Sequence, residues 1–306
     1  MTQAPVITAR ADRLPGNPIL RNFADRRIGA NVNGPSLIRT RPWMQNRLGA
    51  YYLYFAHHVG SYIRLAYADD LTGPWHIHEP GALSIDQMPW VYEHCASPDV
   101  HVDDDAQEIR MYVHAISDPA PWEEPRQSSY LASSRDGINF APNPEELGPS
   151  YFRVWRSGAD YFALSLGGAL WRSHDGCSAF TPGPRLKGLP PGTRHLAVLQ
   201  RGGLVWTAWS VIGDCPERIM IGAFDPSGDW NTWAMMHVQE LLRPEHAWEG
   251  AALPLRPSAV GLSQAPAHQL RDPCFFTDAG RDYLLYSVAG EAGIAIAAFT
   301  LIGDPS

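Results

Sequence analysis

Cysteine is scarce in this chain: four in 306 residues, at positions 95, 177, 215 and 274, with no C-x-x-C pair. Thiols so far apart do not form the framework of a small secreted fold. They read as reduced, mostly buried groups of a cytoplasmic protein. Basic residues are also short, since 24 Lys and Arg against 32 Asp and Glu leave a net charge of −8. A nucleic-acid groove requires a basic stripe, and there is none. No apolar run approaches the roughly 20 residues of a membrane span. The opening, Met1-Thr2-Gln3-Ala4-Pro5-Val6-Ile7-Thr8, has no apolar stretch of signal-peptide length. The expectation is a cytoplasmic protein that meets neither nucleic acid nor membrane.

Glycine and proline are plentiful, 27 of each, and spread evenly. That suits many short strands joined by tight turns. Eleven Trp and twelve Tyr either pack a β core or offer flat faces on which sugar rings stack. All-β folds of this length are often single, so one domain spanning 1–306 is expected.

One phrase recurs. A short apolar strand opens after a polar residue or a proline at Asn33-Gly34-Pro35-Ser36-Leu37-Ile38-Arg39, and again at Ser97-Pro98-Asp99-Val100-His101-Val102. Further copies are Gly148-Pro149-Ser150-Tyr151-Phe152-Arg153, Arg194-His195-Leu196-Ala197-Val198 and Arg271-Asp272-Pro273-Cys274-Phe275-Phe276. Intervals of roughly 45 to 80 residues point to blades or solenoid turns. After each copy come two more apolar strands, then turns such as Asp69-Asp70-Leu71-Thr72-Gly73-Pro74-Trp75. The pattern predicts an all-β, five-bladed β-propeller of antiparallel blades, with each phrase as an innermost strand. The fifth unit has no room for an outer strand. The N-terminal segment, around Val6 to Arg10 or Pro18 to Leu20, is expected to supply it, because closure removes exposed strand edges. Residues 231–269, rich in His, Trp, Pro and Glu, read as a long functional insertion between units four and five.

These phrases resemble a known family. Tyr51-Tyr52-Leu53-Tyr54 followed by Ala68-Asp69-Asp70-Leu71-Thr72-Gly73-Pro74-Trp75 is similar to a blade of the five-bladed propeller glycosidases, glycoside hydrolase families 43, 62, 117 and 130 with the related families 32 and 68. Ser97-Pro98-Asp99-Val100-His101 resembles strands of families 43 and 117. Arg271-Asp272-Pro273 resembles the "RDP" strand of families 32 and 68, whose Asp holds sugar hydroxyls. The departures are informative. Family 43 opens its first blade with Asp-Pro, the Asp being the catalytic base, and here that place reads Gly34-Pro35. The family's acidic Glu-Gly-Pro phrase has a partial echo in Trp248-Glu249-Gly250-Ala251. The "RDP" phrase stands in the last unit rather than near mid-chain.

Glycoside hydrolysis generally uses two carboxyl groups flanking the bond, one protonated and one ionised. Asp99 and Asp272 head inner strands, so both are expected at the axis as base or orienting carboxylate, unless they only cap turns. Glu249, next to apolar Trp248, is expected as the proton donor. Histidines gather at strand ends: His57, His58, His94, His101, His195 and His268. Some family-117 enzymes are thought to use His as the acid, which makes His101 and His195 further catalytic candidates. Asn33, His57, His58, Arg153, Arg194, Arg271 and Tyr151 are candidate substrate-binding residues. Arginines near an axis suit an anionic sugar such as a uronate or sulfated residue, or else pair with nearby carboxylates. No cofactor is required by this reading, and no metal ligands are assigned. A divalent metal on the His cluster and an axial calcium ion, held in some family-43 propellers, are the alternatives. The resemblance implies an exo-acting, inverting glycoside hydrolase for a small oligosaccharide. A non-hydrolytic carbohydrate-binding propeller and a His- or metal-dependent lyase are the competing readings. The sequence does not fix the oligomeric state.

Overall fold

The computed structural model describes residues 7–118 and 125–303. Strands dominate it, and the helical segments among the described residues are three-residue 3-10 turns. The strands form five antiparallel sheets, each running outward from a common axis. Blade one is Asn33–Arg39, Tyr51–Ala56, Tyr62–Ala68 and His76–Ser84. Blade two is Glu93–Asp103, Glu108–Asp118 and Arg126–Ser134, edged by the short pieces Ala141–Pro142 and Gly148–Pro149. Blade three is Arg153–Ser157, Asp160–Leu164, Ala169–Ser173 and Thr181–Arg185. Blade four is Thr193–Arg201, Leu204–Val211, Ile219–Phe224 and Met236–Leu242. Blade five is Arg271–Asp278, Arg281–Val288 and Gly293–Ile302.

The fourth strand of blade five is N-terminal. Thr8–Arg13 pairs antiparallel with Gly293–Ile302, Thr8 opposite Ile302 and Arg13 opposite Ala297. Leu20–Arg21 pairs with the start of the same strand. The expected closure is present, with Val6 outside the described residues.

Adjacent blades bury apolar faces against each other. The second strand of blade one, Tyr51-Tyr52-Leu53-Tyr54-Phe55-Ala56, is buried at every position. Its Tyr52, Tyr54 and Ala56 pack toward blade two, while Leu53 and Phe55 pack toward blade five. This period-two division of one strand between two neighbours is why the middle strands read as continuous apolar runs. The inner strands of blades four, five, one and two pack side by side around the axis. Val154 N–H donates to Asp99 at 2.8 Å, linking blades two and three.

Two expectations shift. Gly148–Pro149 is the edge of blade two, opposite Ser129 and Ser128, and the inner strand of blade three begins at Arg153. Proline lacks an N–H, so an edge suits it. The segment 231–269 contains the outer strand of blade four, Met236–Leu242, so the irregular stretch begins after it.

Candidate functional site

The head of every inner strand carries the same local device. One residue there takes the left-handed backbone: Gly34 (φ 57), Ser97 (φ 51), Tyr151 (φ 69), His195 (φ 52) and Asp272 (φ 48). In blades one, two, four and five the pairing register slips by one residue at this point, between Asn33/Ser36, Ala96/Asp99, Arg194/Ala197 and Arg271/Cys274. Each is a β-bulge, which adds one residue and re-aims its side chain. Left-handed non-glycine residues cost of order 1–3 kcal/mol each, and such strain clusters at ligand sites.

The bulge divides the side chains between two mouths of the axis. Ser97, Tyr151 and His195 line a cavity of about 160 Å³ together with Asn33, His58, His94, His114 and Arg194. Two residues further along each strand, Ser36, Asp99, Arg153, Ala197 and Cys274 line a separate cavity of about 250 Å³. Arg153 lies between the two. Its guanidinium is 5.6 Å from the Tyr151 ring centre and donates to the carbonyls of Leu196 (2.9 Å) and Ser97 (3.1 Å).

The first cavity is walled by imidazoles. His94 Nε2 and His114 Nε2 are 3.2 Å apart, His114 stacks on Tyr151 at 4.8 Å, and Tyr151 lies 5.3 Å from His195. Burial, then the charges of His58 and His57, lowers His94 to about 4. Burial, then His94 and Arg153, holds His114 well below its ordinary value. Burial, then Arg194 and Arg271, does the same to His195. These rings are neutral at pH 7. Asn33 Oδ1, His94 Nδ1 and His114 Nδ1 are buried without a hydrogen-bond partner. Each such group costs about 1–3 kcal/mol and calls for a polar ligand or ordered water.

Beneath the rings lie three carboxylates. Glu217 is fully buried and takes Arg194 Nε (2.9 Å) and Nη2 (2.5 Å). Glu291 accepts from Arg271 Nη1 (2.9 Å) and Asn31, and faces His58 Nδ1 at 3.3 Å. Burial would raise the Glu291 carboxyl, but His58, Asn31 and Arg271 outweigh it and hold it at about 2. Asp272 goes the other way. Burial, then the Glu291 charge, pushes it up to about 6 against the pull of Arg271 and Arg194. Its Oδ1 is 3.3 Å from His195 Nε2, and its Oδ2 is buried with no partner.

One tautomer of His195 satisfies the hydrogen bonds around it. Ser210 O–H donates to Glu217 at 2.7 Å, which leaves its oxygen to accept from His195 Nδ1–H at 3.4 Å. In that tautomer Nε2 is an acceptor, so a hydrogen between it and Asp272 is the carboxyl's, present below about pH 6. The mouth thus holds two imidazole–carboxylate pairs of opposite character: Asp272–His195, whose carboxyl keeps its proton up to about pH 6, and Glu291–His58, ionised at the carboxylate.

Of the residues singled out from sequence, Asn33, His58, Tyr151, Arg194, His195, Arg271 and Asp272 come together here. Asp99 and His101 pair with each other at 2.8 Å, but at the second cavity. Glu249 lines neither cavity. Arg13 Nε (2.7 Å) and Nη2 (3.0 Å), the Tyr286 hydroxyl and the N–H groups of Glu245 and His246 occupy its oxygens. His57 accepts from Val59 N–H in a surface turn. Among the described residues no group of three His, Cys, Asp or Glu side chains is arranged to hold a metal. Glu217, Glu291, Asn31, His114 and Ser210 were not anticipated. Antiparallel pairing gives the signal for four of them: the end of a second strand returns to the mouth where its inner strand begins, so residues at that end and in the turn after it face the same site. Asn31 lies just ahead of its inner strand.

No family model matches the chain. It is 36% identical over 319 residues to "Uncharacterized protein R118" of Acanthamoeba polyphaga mimivirus, covering 92% of this chain and 88% of that protein. The chain belongs to that protein's family. Solved structures share the family's fold at low identity. The glycoside hydrolase family 43 β-xylosidase/α-arabinofuranosidase CoXyl43, from a compost microbial metagenome, matches with TM-score 0.63 at 13% identity over 96% of both chains. The α-L-arabinofuranosidase of Lactobacillus brevis matches with TM-score 0.62 at 11% identity, over 93% of this chain and 92% of that one. A family 43 enzyme of Xanthomonas citri in complex with xylotriose matches with TM-score 0.58 at 14% identity, over 88% and 87%. The fold is the five-bladed propeller of these hydrolases.

Proposed function

We propose that the protein is a glycoside hydrolase that removes one terminal sugar from a small glycoside, with inversion. Fold neighbours described as xylosidase and arabinofuranosidase support hydrolysis in general, and the site must carry the rest. The observation that does so is the pair of carboxyls driven apart, Asp272 up to about 6 and Glu291 down to about 2. Carboxyls separated in this way divide the acid and base roles. The Asp272–His195 pair holds the proton for the leaving oxygen. His58, oriented by Glu291 at Nδ1, takes a proton from the attacking water. A cavity of about 160 Å³ lies below the roughly 300–1,000 Å³ of drug-sized sites, which suits one ring and exo action. Arg194 and Arg271 are already paired with Glu217 and Glu291, so a neutral sugar fits better than a uronate.

The test is a screen of neutral glycosides and uronides with and without chelator. Cleavage of a neutral glycoside that survives chelation is expected. Asp272→Asn and Glu291→Gln should each slow turnover by about 10²–10⁴ in variants that still melt cooperatively. Activity should decline as pH rises through about 6, where Asp272 loses its proton. Loss of activity on chelation would favour the metal-dependent reading.

A second reading has its own support. Gly34 stands where family 43 opens with its base, and a Cβ there would meet Ser97 Cα at 3.0 Å. A binding propeller without turnover would bind sugars in the same screen and cleave none.

A further inference from the structure

We propose that the cavity mouth is an apolar subsite built to receive a hydrophobic aglycone, so that the substrate is a small glycoside of an apolar alcohol rather than a sugar chain. This rests on the glycosidase reading above. If one ring fills the cavity, the group it leaves must lie at the rim. Three aliphatic side chains with solvent exposure are among the cavity's lining: Leu166, Ile212 and Val260. Leu166 is 47% exposed and Val260 is 77% exposed.

Val260 is held in place by the site itself. The carbonyl before it, on Ala259, accepts from Arg194 Nη1 at 3.2 Å. The carbonyl after it, on Gly261, accepts from Arg271 Nη1 at 3.2 Å. Both arginines are buried and bound to the carboxylates beneath the cavity. Two guanidiniums of the floor therefore fix the backbone on either side of a side chain that stands in solvent. An apolar group seated there would take Val260 and Leu166 out of water. The other two are anchored likewise: Leu166 N–H donates to Ser150 O and Ile212 N–H to Gly192 O, each at 2.9 Å. A second sugar at this position would ask for hydrogen-bonding groups or an aromatic platform. Among the described lining residues the polar side chains that reach solvent are Gln127, His58 and Tyr151, and Tyr151, the one phenol ring, is packed between His114 and His195.

The experiment compares methyl, butyl and octyl glycosides of xylose, arabinofuranose, glucose and galactose with the matching disaccharides. The alkyl leaving groups are chemically alike, so differences report burial. Each methylene that reaches the rim is worth up to about fourfold. The octyl glycoside is therefore expected to exceed the methyl by at least about tenfold in kcat/KM, and also to exceed the disaccharide. The doubly substituted Leu166→Ser, Val260→Ser protein should flatten the series, with its melting temperature recorded to confirm folding. Equal cleavage at all chain lengths, or a slope unchanged in the variant, overturns the subsite and leaves the glycosidase reading standing. If no glycoside is bound or cleaved, both fall.

Discussion

Three imidazoles at the axial mouth are buried in their neutral form, and this makes the molecule sensitive to acid. His94 is lowered to about 4, and His114 and His195 also lie well below their ordinary value. A base depressed by folding binds its proton more readily in the unfolded chain. Its stabilising contribution is present above the unfolded value, about 6.5, and is lost as pH falls toward the folded one. Asp272 has the opposite sign. Raised to about 6, it stabilises below about 4 and loses that contribution as pH rises through about 6. Three imidazoles outweigh one carboxyl, so thermal stability should drop between pH 6.5 and 4. His94 alone accounts for up to about 3 kcal/mol of this. In His94→Gln the fall in melting temperature from pH 7 to 5 should be shallower than in the parent; an identical slope would show that the ring is protonated when folded.

At the scale of elements, the end of the N-terminal strand is fastened by ion pairs from Arg13 to Glu249 and Glu245. Arg13, at its end, reaches fully buried Glu249 through two nitrogens and also holds Glu245 (2.7 Å) and the Arg243 carbonyl (2.7 Å). Removing Arg13 strands a buried carboxylate. Arg13→Ala should therefore cost about 3–5 kcal/mol in denaturant unfolding. Glu249→Gln should also destabilise the protein while leaving sugar turnover, measured per folded molecule, near that of the parent. Turnover slowed by about two orders of magnitude or more, the scale of a lost general acid, would instead return Glu249 to the chemistry. Its neighbour Trp248 gave the sequence signal for an acid, but Trp248 stacks on His246 at 5.2 Å. The partner that holds Glu249 lies 236 positions away, beyond any local pattern. Strands and turns were legible because their causes are local. Asp136 and Asp175, for example, each accept two N–H groups of their own turns.

At the scale of the whole molecule, the propeller rhythm was legible and the division of its axis was not. Ser97-Pro98-Asp99 and Asp272-Pro273-Cys274 look like the same phrase. Asp272 occupies the left-handed position, whereas Asp99 lies two residues beyond it. That difference of phase sends the two aspartates to opposite mouths. The loop-borne Glu217 and Glu291 stayed hidden because only the closed ring brings them under the same cavity. Closure itself depends on Thr8–Arg13. Deleting residues 1–22 should lower the melting temperature sharply and promote association through the bared edge of Gly293–Ile302; a deletion that melts like the full chain as a monomer would show that blade five stands without it.

The pairing of Thr8 with Ile302 also sets a timetable for biosynthesis. Thr8–Arg13 is made before blades one to four and waits for Gly293–Ile302, the strand it pairs with, until all of them have been translated. Blades one to four can assemble on the emerging polypeptide, but the fifth closes only after them, and contacts this distant in sequence form slowly. A polypeptide cut short before Gly293–Ile302 therefore leaves the ring unsealed, and until that strand is made Thr8–Arg13 stays open to chaperones and proteases.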